Sequence, residues 1–391
     1  MTELHDLLHR ATDRIDGPDL AARALTGARR RRARNRGVVA AVAAAAAVVA
    51  VVVSVELTTG GARVDQPPVL SPSPSPTQGV ATAPAIDPSR IQPVWDPRTV
   101  EGLPVTDLGV PRVMESLVPG VVTRPVAVLD DGERARLVGG DEVMAELPLP
   151  DGLGDRRIVS LSPDGTQLAA VGISGFFWRT LDGDWEQVRH TRVSGEAPQV
   201  TWLPDGSGLI GRDWNSAVRV DLPSGDVEEL PFPLDVGQFA VGPEGAVVAT
   251  VPRQVIEWHE GREGARWATG PLDGLVLPAV GTNEIAFARA NVLFDDERGV
   301  ADRDGLIAVD RETFETRGYL PVPDDHDYYV HAEELRPVAW LDDDTVAFTV
   351  LPEGSPKEYL VTWNVETGAL SRISCWEKSF SAVFATGLLG S

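Results

Sequence analysis

One short segment holds the densest group of side chains that could bind a metal ion. The segment PDDHDYYVHAEE begins at Pro323 and combines two histidines with several carboxylates. Imidazole nitrogens and carboxylate oxygens are common ligands of divalent metals. The candidate ligands are Asp325, His326, Asp327, His331 and Glu333. A solvated acidic loop between two repeats is the alternative that this composition favours, so we assign no metal and no cofactor.

Other motifs for chemistry are incomplete. Lys357 and Lys378 do not lie in a GxxxxGK[ST] phosphate loop, and HEGRE, from His259, lacks the second histidine of HExxH. DRDG, from Asp302, has two acids of a calcium loop but lacks its later glutamate, so we interpret it as a turn. The single cysteine, Cys375, excludes an intramolecular disulfide and is expected to be a small apolar residue near a strand end. We therefore predict no catalytic residues.

The net charge of −23 is distributed unevenly along the 391 residues. Of the 35 basic and 58 acidic residues, nine and five lie in residues 1–36, so that segment carries +4 and the remainder −27. A domain this acidic repels phosphate backbones, which argues against nucleic-acid binding. The hydrophobic fraction of 43% is sufficient for a sizeable core.

An uncharged apolar run, GVVAAVAAAAAVVAVVVSV, extends from Gly37 to Val55. As a helix it would be roughly 28 Å long, close to the thickness of the hydrocarbon layer of a bilayer. The arginine cluster at residues 29–36 precedes it, and the positive-inside rule then places the N-terminus in the cytoplasm. We predict a single transmembrane helix over Gly37–Val55, with a cleaved signal peptide as the alternative. A basic region of 36 residues would be unusually long for such a peptide.

The segments on either side of the predicted span differ in composition. Residues 1–36 begin with an amphipathic helical pattern and end in the arginine cluster, which predicts a helical cytoplasmic head. This head either lies on the membrane surface or is disordered, or it docks a cytoplasmic protein. Residues 56–90 contain the run SPSPSP and few large apolar residues, which predicts a disordered, semi-stiff linker.

A short phrase recurs through the rest of the chain. VSLSPDGTQLAAVG, from Val159, is followed by VTWLPDGSGLIGRD, from Val200, and by more divergent copies. Each copy has an alternating apolar run, a polar turn and a second apolar run, which predicts a β-hairpin. The predicted turns are marked by Asp131, Asp164, Asp205, Glu244, Asn283 and Asp343. The marks are mostly about 40 residues apart, a period typical of propeller blades.

A second hairpin pattern follows several copies, as in VRVDLPSGDVEEL and VTWNVETGALSRI. Four short strands per repeat are the content of one propeller blade. The chain therefore resembles the WD-repeat and TolB-like β-propeller families, although the WD dipeptide itself is absent. Its layout also resembles single-pass membrane propeller proteins of actinobacteria. These are often encoded beside sigma factors, so the resemblance implies a regulatory role for the cytoplasmic head.

We thus predict an all-β fold with a six- or seven-bladed propeller over residues 121–391, preceded by a lead-in over 91–120. SFSAVFA, near the C-terminus, is expected to close the ring by pairing with residues 126–129, with Phe380 and Phe384 facing a neighbouring sheet. The predicted function is a membrane-anchored, extracytoplasmic module for binding, sensing or scaffolding, whose partner is a protein or a cell-envelope ligand. A propeller enzyme acting on glycans, as hydrolase or lyase, and a sigma-factor-linked regulator are the alternatives.

Overall fold

The computed structural model describes residues 80–389 except 154–156, 173–174, 189–198, 213–216, 223, 231–237, 252, 260–261, 273, 290–302 and 324–333. No helix in this described part is long and apolar enough to cross a membrane, and the predicted span lies outside it. The predicted cytoplasmic head and residues 56–79 of the predicted linker also lie outside the described residues. The linker prediction was wrong for residues 80–90, which are ordered because Ala81 and Thr82 pair with Trp267 and Ala268.

The described residues form strands and short 3₁₀ helices. The strands are β1 (Ala81–Thr82), β2 (Val118–Pro119), β3 (Pro125–Asp130), β4 (Ala135–Gly139), β5 (Val143–Leu147), β6 (Ile158–Leu161), β7 (Gln167–Gly172), β8 (Gly175–Thr180), β9 (Glu186–Val188), β10 (Gln199–Trp202), β11 (Gly208–Arg212), β12 (Ala217–Asp221), β13 (Val227–Leu230), β14 (Phe239–Val241), β15 (Val247–Val251), β16 (Gln254–His259), β17 (Arg262–Ala268), β18 (Leu275–Val280), β19 (Glu284–Arg289), β20 (Gly305–Asp310), β21 (Thr316–Pro321), β22 (Leu335–Trp340), β23 (Thr345–Val350), β24 (Lys357–Asn364), β25 (Leu370–Glu377) and β26 (Ser381–Phe384). The 3₁₀ helices are Pro88–Arg90, Pro97–Gly102, Gly270–Leu272 and Thr386–Leu388.

The strands form six sheets, which are the six blades of a β-propeller. Blade 1 contains β3, β4 and β5 with β26 as its innermost strand. Blades 2 to 6 take their four strands in chain order, beginning with β6, β10, β14, β18 and β22. The all-β propeller is therefore confirmed, with six blades. The alternation of apolar residues explains this arrangement, because each sheet has two faces to bury and radial stacking covers both.

The ring closes where the sequence predicted. In β26, Ala382 pairs with Leu129 and Val383 pairs with Val128, so the last strand completes the first blade. Phe380 and Phe384 are buried in an apolar cluster that also contains Trp376 of blade 6. The predicted pairing and the predicted orientation of the two phenylalanines are both confirmed. Closure of this kind removes the exposed sheet edge that an open ring would leave.

A segment preceding blade 1 covers the outer edges of four blades. We call residues 81–119 the belt. Its strand β1 pairs in parallel with β17 of blade 4, and Ile91 bridges to Tyr319 of blade 5. Val105 and Val113 then bridge to β25 of blade 6, and β2 pairs in parallel with β5 of blade 1. The belt thus crosses the seam between blades 6 and 1, where the ring closes.

The core is divided among the junctions between blades. Six of the apolar clusters each join two neighbouring blades. For example, Phe287 and Ile307 of blade 5 pack with Val248 of blade 4. The belt adds to this core, since Trp95 packs edge-on against Phe348 with ring centroids 5.8 Å apart. The folded ring therefore depends on contacts between blades rather than on any blade alone.

Candidate functional site

The innermost strands of all six blades surround one central channel. They are β26, β6, β10, β14, β18 and β22, and their side chains line a cavity of about 460 Å³. Valine, alanine and proline are the commonest residues of the walls, and Ser160, Thr201 and Thr386 are the hydroxyl side chains in the lining. A mainly apolar cavity of this size with a few polar groups is typical of small-molecule sites in proteins.

The cavity extends to one face of the ring. Each of blades 2 to 6 has a turn between its first and second strands on this face, which we call the turn face. Pro163, Pro204 and Pro243, from three of these turns, border the cavity. Gly387, which follows the closing strand, donates its backbone N–H to Pro163 O at 2.9 Å. Three of the turns predicted from the sequence therefore border the channel.

Side-chain hydrogen bonds hold two of the rim turns. Asp164 Oδ1 accepts the backbone N–H of Thr166 and Asp205 Oδ1 accepts that of Ser207, each at 3.0 Å. The intervening Gly206 has φ of +70°, a conformation that favours glycine. The Ser207 hydroxyl and amide lower the pKa of Asp205. The lowered pKa keeps this carboxylate ionised on the turn face at neutral pH.

The structure distributes the six predicted turn residues over two kinds of turn. Asp164, Asp205, Glu244, Asn283 and Asp343 lie between the first and second strands of blades 2 to 6. Asp131 differs, because it follows β3, the second strand of blade 1, so its turn lies on the opposite face. There Asp131 Oδ1 accepts the backbone N–H of Arg134 at 2.7 Å. The difference arises because the C-terminus supplies the innermost strand of this blade.

A second cavity, of about 480 Å³, lies beside the channel mouth. We call it the cleft. Its two walls come from blades 3 and 4, and it shares Pro204 and Pro243 with the channel lining. The ionisable side chains that line it are Asp205 and Arg219 from blade 3, and Glu244 and His259 from blade 4. The cleft and the channel therefore adjoin on the turn face but differ in polarity.

A buried carboxylate positions the histidine of the cleft. His259 Nε2 lies 2.6 Å from Glu257 Oε1, and the same oxygen lies 2.5 Å from Arg311 Nη2. The Glu257 side chain is only 8% exposed, whereas that of His259 is 48% exposed. An imidazole held through one nitrogen by a fixed carboxylate has a defined orientation. One nitrogen of His259 is thus engaged by Glu257 while the ring borders the cleft.

Two side chains of opposite charge line the cleft. The guanidinium of Arg219 and the carboxylate of Glu244 make no hydrogen bond or ion pair within the described residues. Arg219 still acts at longer range, since its positive charge contributes to the lowered pKa of Asp205, after the Ser207 hydrogen bonds. Both side chains therefore retain their capacity to bind a ligand.

Of the other residues singled out in the sequence, Cys375 is described by the structure, whereas the metal candidates and Asp302 are not. The metal candidates Asp325, His326, Asp327, His331 and Glu333 and the turn at Asp302 lie outside the described residues. Within those residues, no group of three His, Cys, Asp or Glu side chains could hold a metal ion. Cys375 is buried in β25, and burial raises the pKa of its thiol.

Sequence reasoning did not identify the cleft. Its ionisable residues are far apart in the sequence, and each belongs to a separate strand or turn. One signal pointed to part of it, since Asp205 and Glu244 occupy equivalent turns of neighbouring repeats. Neighbouring repeats of a closed ring place equivalent turns side by side.

Comparisons with known proteins give only distant matches. No protein-family model and no curated protein matches the chain. The β-propeller domain of the trilobed protease from Pyrococcus furiosus is 14% identical, with a TM-score of 0.44 over 66% of this chain and 84% of that one. Oligogalacturonate lyase in complex with manganese is 13% identical, with a TM-score of 0.37 over 66% and 75% of the two chains. Hydrazine synthase of Kuenenia stuttgartiensis is 14% identical, with a TM-score of 0.39 over 55% and 65%.

Proposed function

We propose that this chain is a membrane-anchored binding module that takes a small ligand on the turn face of its propeller. The observation that supports this most directly is the cavity of about 460 Å³ surrounded by the innermost strands of all six blades. Its apolar walls supply affinity, and its few hydroxyl groups orient the ligand. The closing strand and the belt keep the ring intact, so the cavity is preformed and binding costs little ordering.

The anchor is the apolar run Gly37–Val55, and the arginine cluster before it supports an extracytoplasmic propeller. In this arrangement the ligand comes from the cell envelope or from outside the cell. The acidic remainder of the chain is consistent with a soluble domain that does not bind nucleic acid. The cytoplasmic head would then contact the membrane surface or a cytoplasmic protein, and the sigma-factor-linked role belongs to that head alone.

An enzyme acting on glycans is the second candidate, and one observation favours it. His259 is oriented by the buried Glu257 and borders the same cleft as Asp205 and Glu244. A positioned histidine near carboxylates is an arrangement used for proton transfer. Catalysis of this kind predicts that His259→Asn abolishes turnover while binding persists. The binding role requires no such loss.

A thermal-shift screen on the full chain in detergent tests the binding role. Compounds that bind only the folded state raise the melting temperature. We compare the wild type with Ala240→Leu, which fills part of the channel, and with Val121→Leu, a control at a side chain that is 83% exposed. The proposal expects compounds whose effect is lost in Ala240→Leu and kept in Val121→Leu. No stabilising compound, or effects equal in all three proteins, would contradict it.

A further inference from the structure

The cleft presents opposite charges on its two walls. Arg219 extends from the blade 3 wall and Glu244 lies on the blade 4 wall, and both border one cavity of about 480 Å³. Neither side chain has a hydrogen bond or an ion pair with another described residue. Because the guanidinium has five N–H donors and the carboxylate only acceptors, the two walls require different ligand groups.

A ligand with a single charge can pair with only one of the two side chains, Arg219 or Glu244. An anion that pairs with Arg219 is repelled by Glu244 and by the ionised Asp205. A cation that pairs with Glu244 is also attracted by Asp205, but it is repelled by Arg219 and gives the guanidinium no hydrogen-bond acceptor. A molecule that carries both charges meets a complementary group on each wall, and charge-assisted hydrogen bonds of this kind are the strongest available at such a site.

The channel beside the cleft adds an apolar requirement. Pro204 and Pro243 border both cavities, so a ligand seated in the cleft lies next to the channel mouth. Val200 and Val241 are among the apolar residues of the channel lining. An apolar group that leaves water for these walls adds to affinity in proportion to the area it buries.

We propose that the cleft and the channel mouth together bind a small zwitterion with an apolar tail, the chemistry of an apolar α-amino acid. Arg219 binds the carboxylate, Glu244 binds the ammonium group, and the tail enters the channel between Pro204 and Pro243. This assignment rests on the proposed binding function of the turn face. His259, held by Glu257, completes the polar side of the site.

Four probes with the same branched tail test this assignment. Leucine carries both charges. 4-Methylpentanoate carries only the negative charge and 3-methylbutylamine only the positive one, and 3-methylbutan-1-ol is uncharged. Isothermal titration of the full chain in detergent should show leucine binding about tenfold or more tightly than each of the other three. Equal affinities, or tightest binding of a singly charged probe, would overturn the assignment.

Two variants assign each charge to its wall. Arg219→Gln should remove the advantage of leucine over the amine, and Glu244→Gln should remove its advantage over the carboxylate. The matched controls Arg134→Gln and Glu133→Gln alter exposed residues of the blade 1 turn on the opposite face and should leave all affinities unchanged. Wild-type affinities in both cleft variants, or equal losses in the controls, would contradict the proposal.

The experiment separates this assignment from the function on which it rests. If leucine fails but other compounds stabilise the wild type and not Ala240→Leu, the turn face binds a ligand and the zwitterion assignment is wrong. If leucine binds and Ala240→Leu weakens its binding, both the binding function of the turn face and the zwitterion assignment are supported. If leucine binds equally to Ala240→Leu, the tail does not enter the channel and the two-part site is wrong.

Discussion

Val383 of the last strand pairs with Val128 of the first blade, and this pairing closes the ring. The two residues come from opposite ends of the propeller sequence, so the native fold requires both ends of the domain to be present. On the neighbouring blade, Trp376 packs edge-on against Phe384, with ring centroids 5.6 Å apart. The seam therefore has both strand pairing and aromatic packing.

Removing one ring from the seam should weaken the whole domain. Phe384 is 4% exposed, and cutting a buried phenylalanine to alanine typically costs about 3–5 kcal/mol. We expect Phe384→Ala to lower the free energy of unfolding by about that amount in a chemical denaturation experiment. Val121→Ala, at an exposed residue, should change it by less than about 0.5 kcal/mol. Equal free energies of unfolding for the two variants would show that Phe384 at the seam contributes no more to stability than an exposed residue.

The belt should contribute to stability through one half-buried, hydrogen-bonded side chain, that of Gln92. Gln92 accepts the indole N–H of Trp363 at 2.6 Å and donates to the backbone carbonyl of Val365 at 2.8 Å. Gln92→Leu leaves the fully buried Trp363 without its acceptor, which should cost about 1–3 kcal/mol. The measurement is the denaturation midpoint of the full chain.

A neighbouring belt residue serves as the control. Arg90 makes an ion pair with Glu366 at 3.0 Å, and both side chains are more than a third exposed. Exposed pairs of this kind contribute about 0–1 kcal/mol, so Arg90→Gln should have a small effect. A Gln92→Leu variant no less stable than Arg90→Gln would mean that the belt is not held by this contact.

The rim turn at Asp205 predicts a pH dependence. The Ser207 hydroxyl and amide lower the pKa of Asp205 below its ordinary value. Because the folded pKa is below the unfolded one, the carboxylate stabilises the fold above the unfolded pKa of about 3.9, and this contribution is lost as the pH falls through the folded pKa. The stability difference between the wild type and Asp205→Asn should therefore shrink in strong acid. A difference that stays constant from neutral pH into strong acid would contradict this.

How much could be predicted from the sequence depended on the range of the interactions. The hairpin phrases around Asp164 and Asp205 are local, and they predicted the blades because turn chemistry and strand alternation act over a few residues. The pairing of Phe384 and its neighbours was predictable because one apolar run was left after the last repeat. The position of the Asp131 hairpin within its blade could not be predicted, since a hairpin sequence does not say which strand is innermost.

The belt and the cleft could not be predicted in the same way. Belt residues such as Ile91 and Val113 pair singly, between prolines and short turns, and leave no periodic pattern. Arg219 and His259 reach the cleft only because blades 3 and 4 pack radially. These contacts depend on tertiary geometry, which a single sequence does not reveal through local propensity.

At high pH, Tyr359 should titrate late. Burial, and then the hydrogen bond to Glu101 Oε1 at 2.8 Å, raises the pKa of Tyr359 to about 12. Because the folded pKa exceeds the unfolded value of about 10, the neutral phenol stabilises the fold below that pH, and this contribution is lost as the pH rises toward 12. An ultraviolet titration should show one tyrosinate transition near pH 12 that is absent in Tyr359→Phe. If the transition near pH 12 persists in Tyr359→Phe, the assignment of this pKa to Tyr359 is contradicted.

Cysteine labelling on intact cells determines whether the channel opens to the outside of the cell. Cys375 is the single cysteine, so Cys375→Ala gives a cysteine-free background. In that background, Thr386→Cys places a thiol in the channel lining, and Ala11→Cys places one in the predicted cytoplasmic head. A membrane-impermeant maleimide added to intact cells should label the Thr386→Cys protein and should label the Ala11→Cys protein only after permeabilisation. The reverse pattern would contradict the proposal of an anchored, extracytoplasmic binding module.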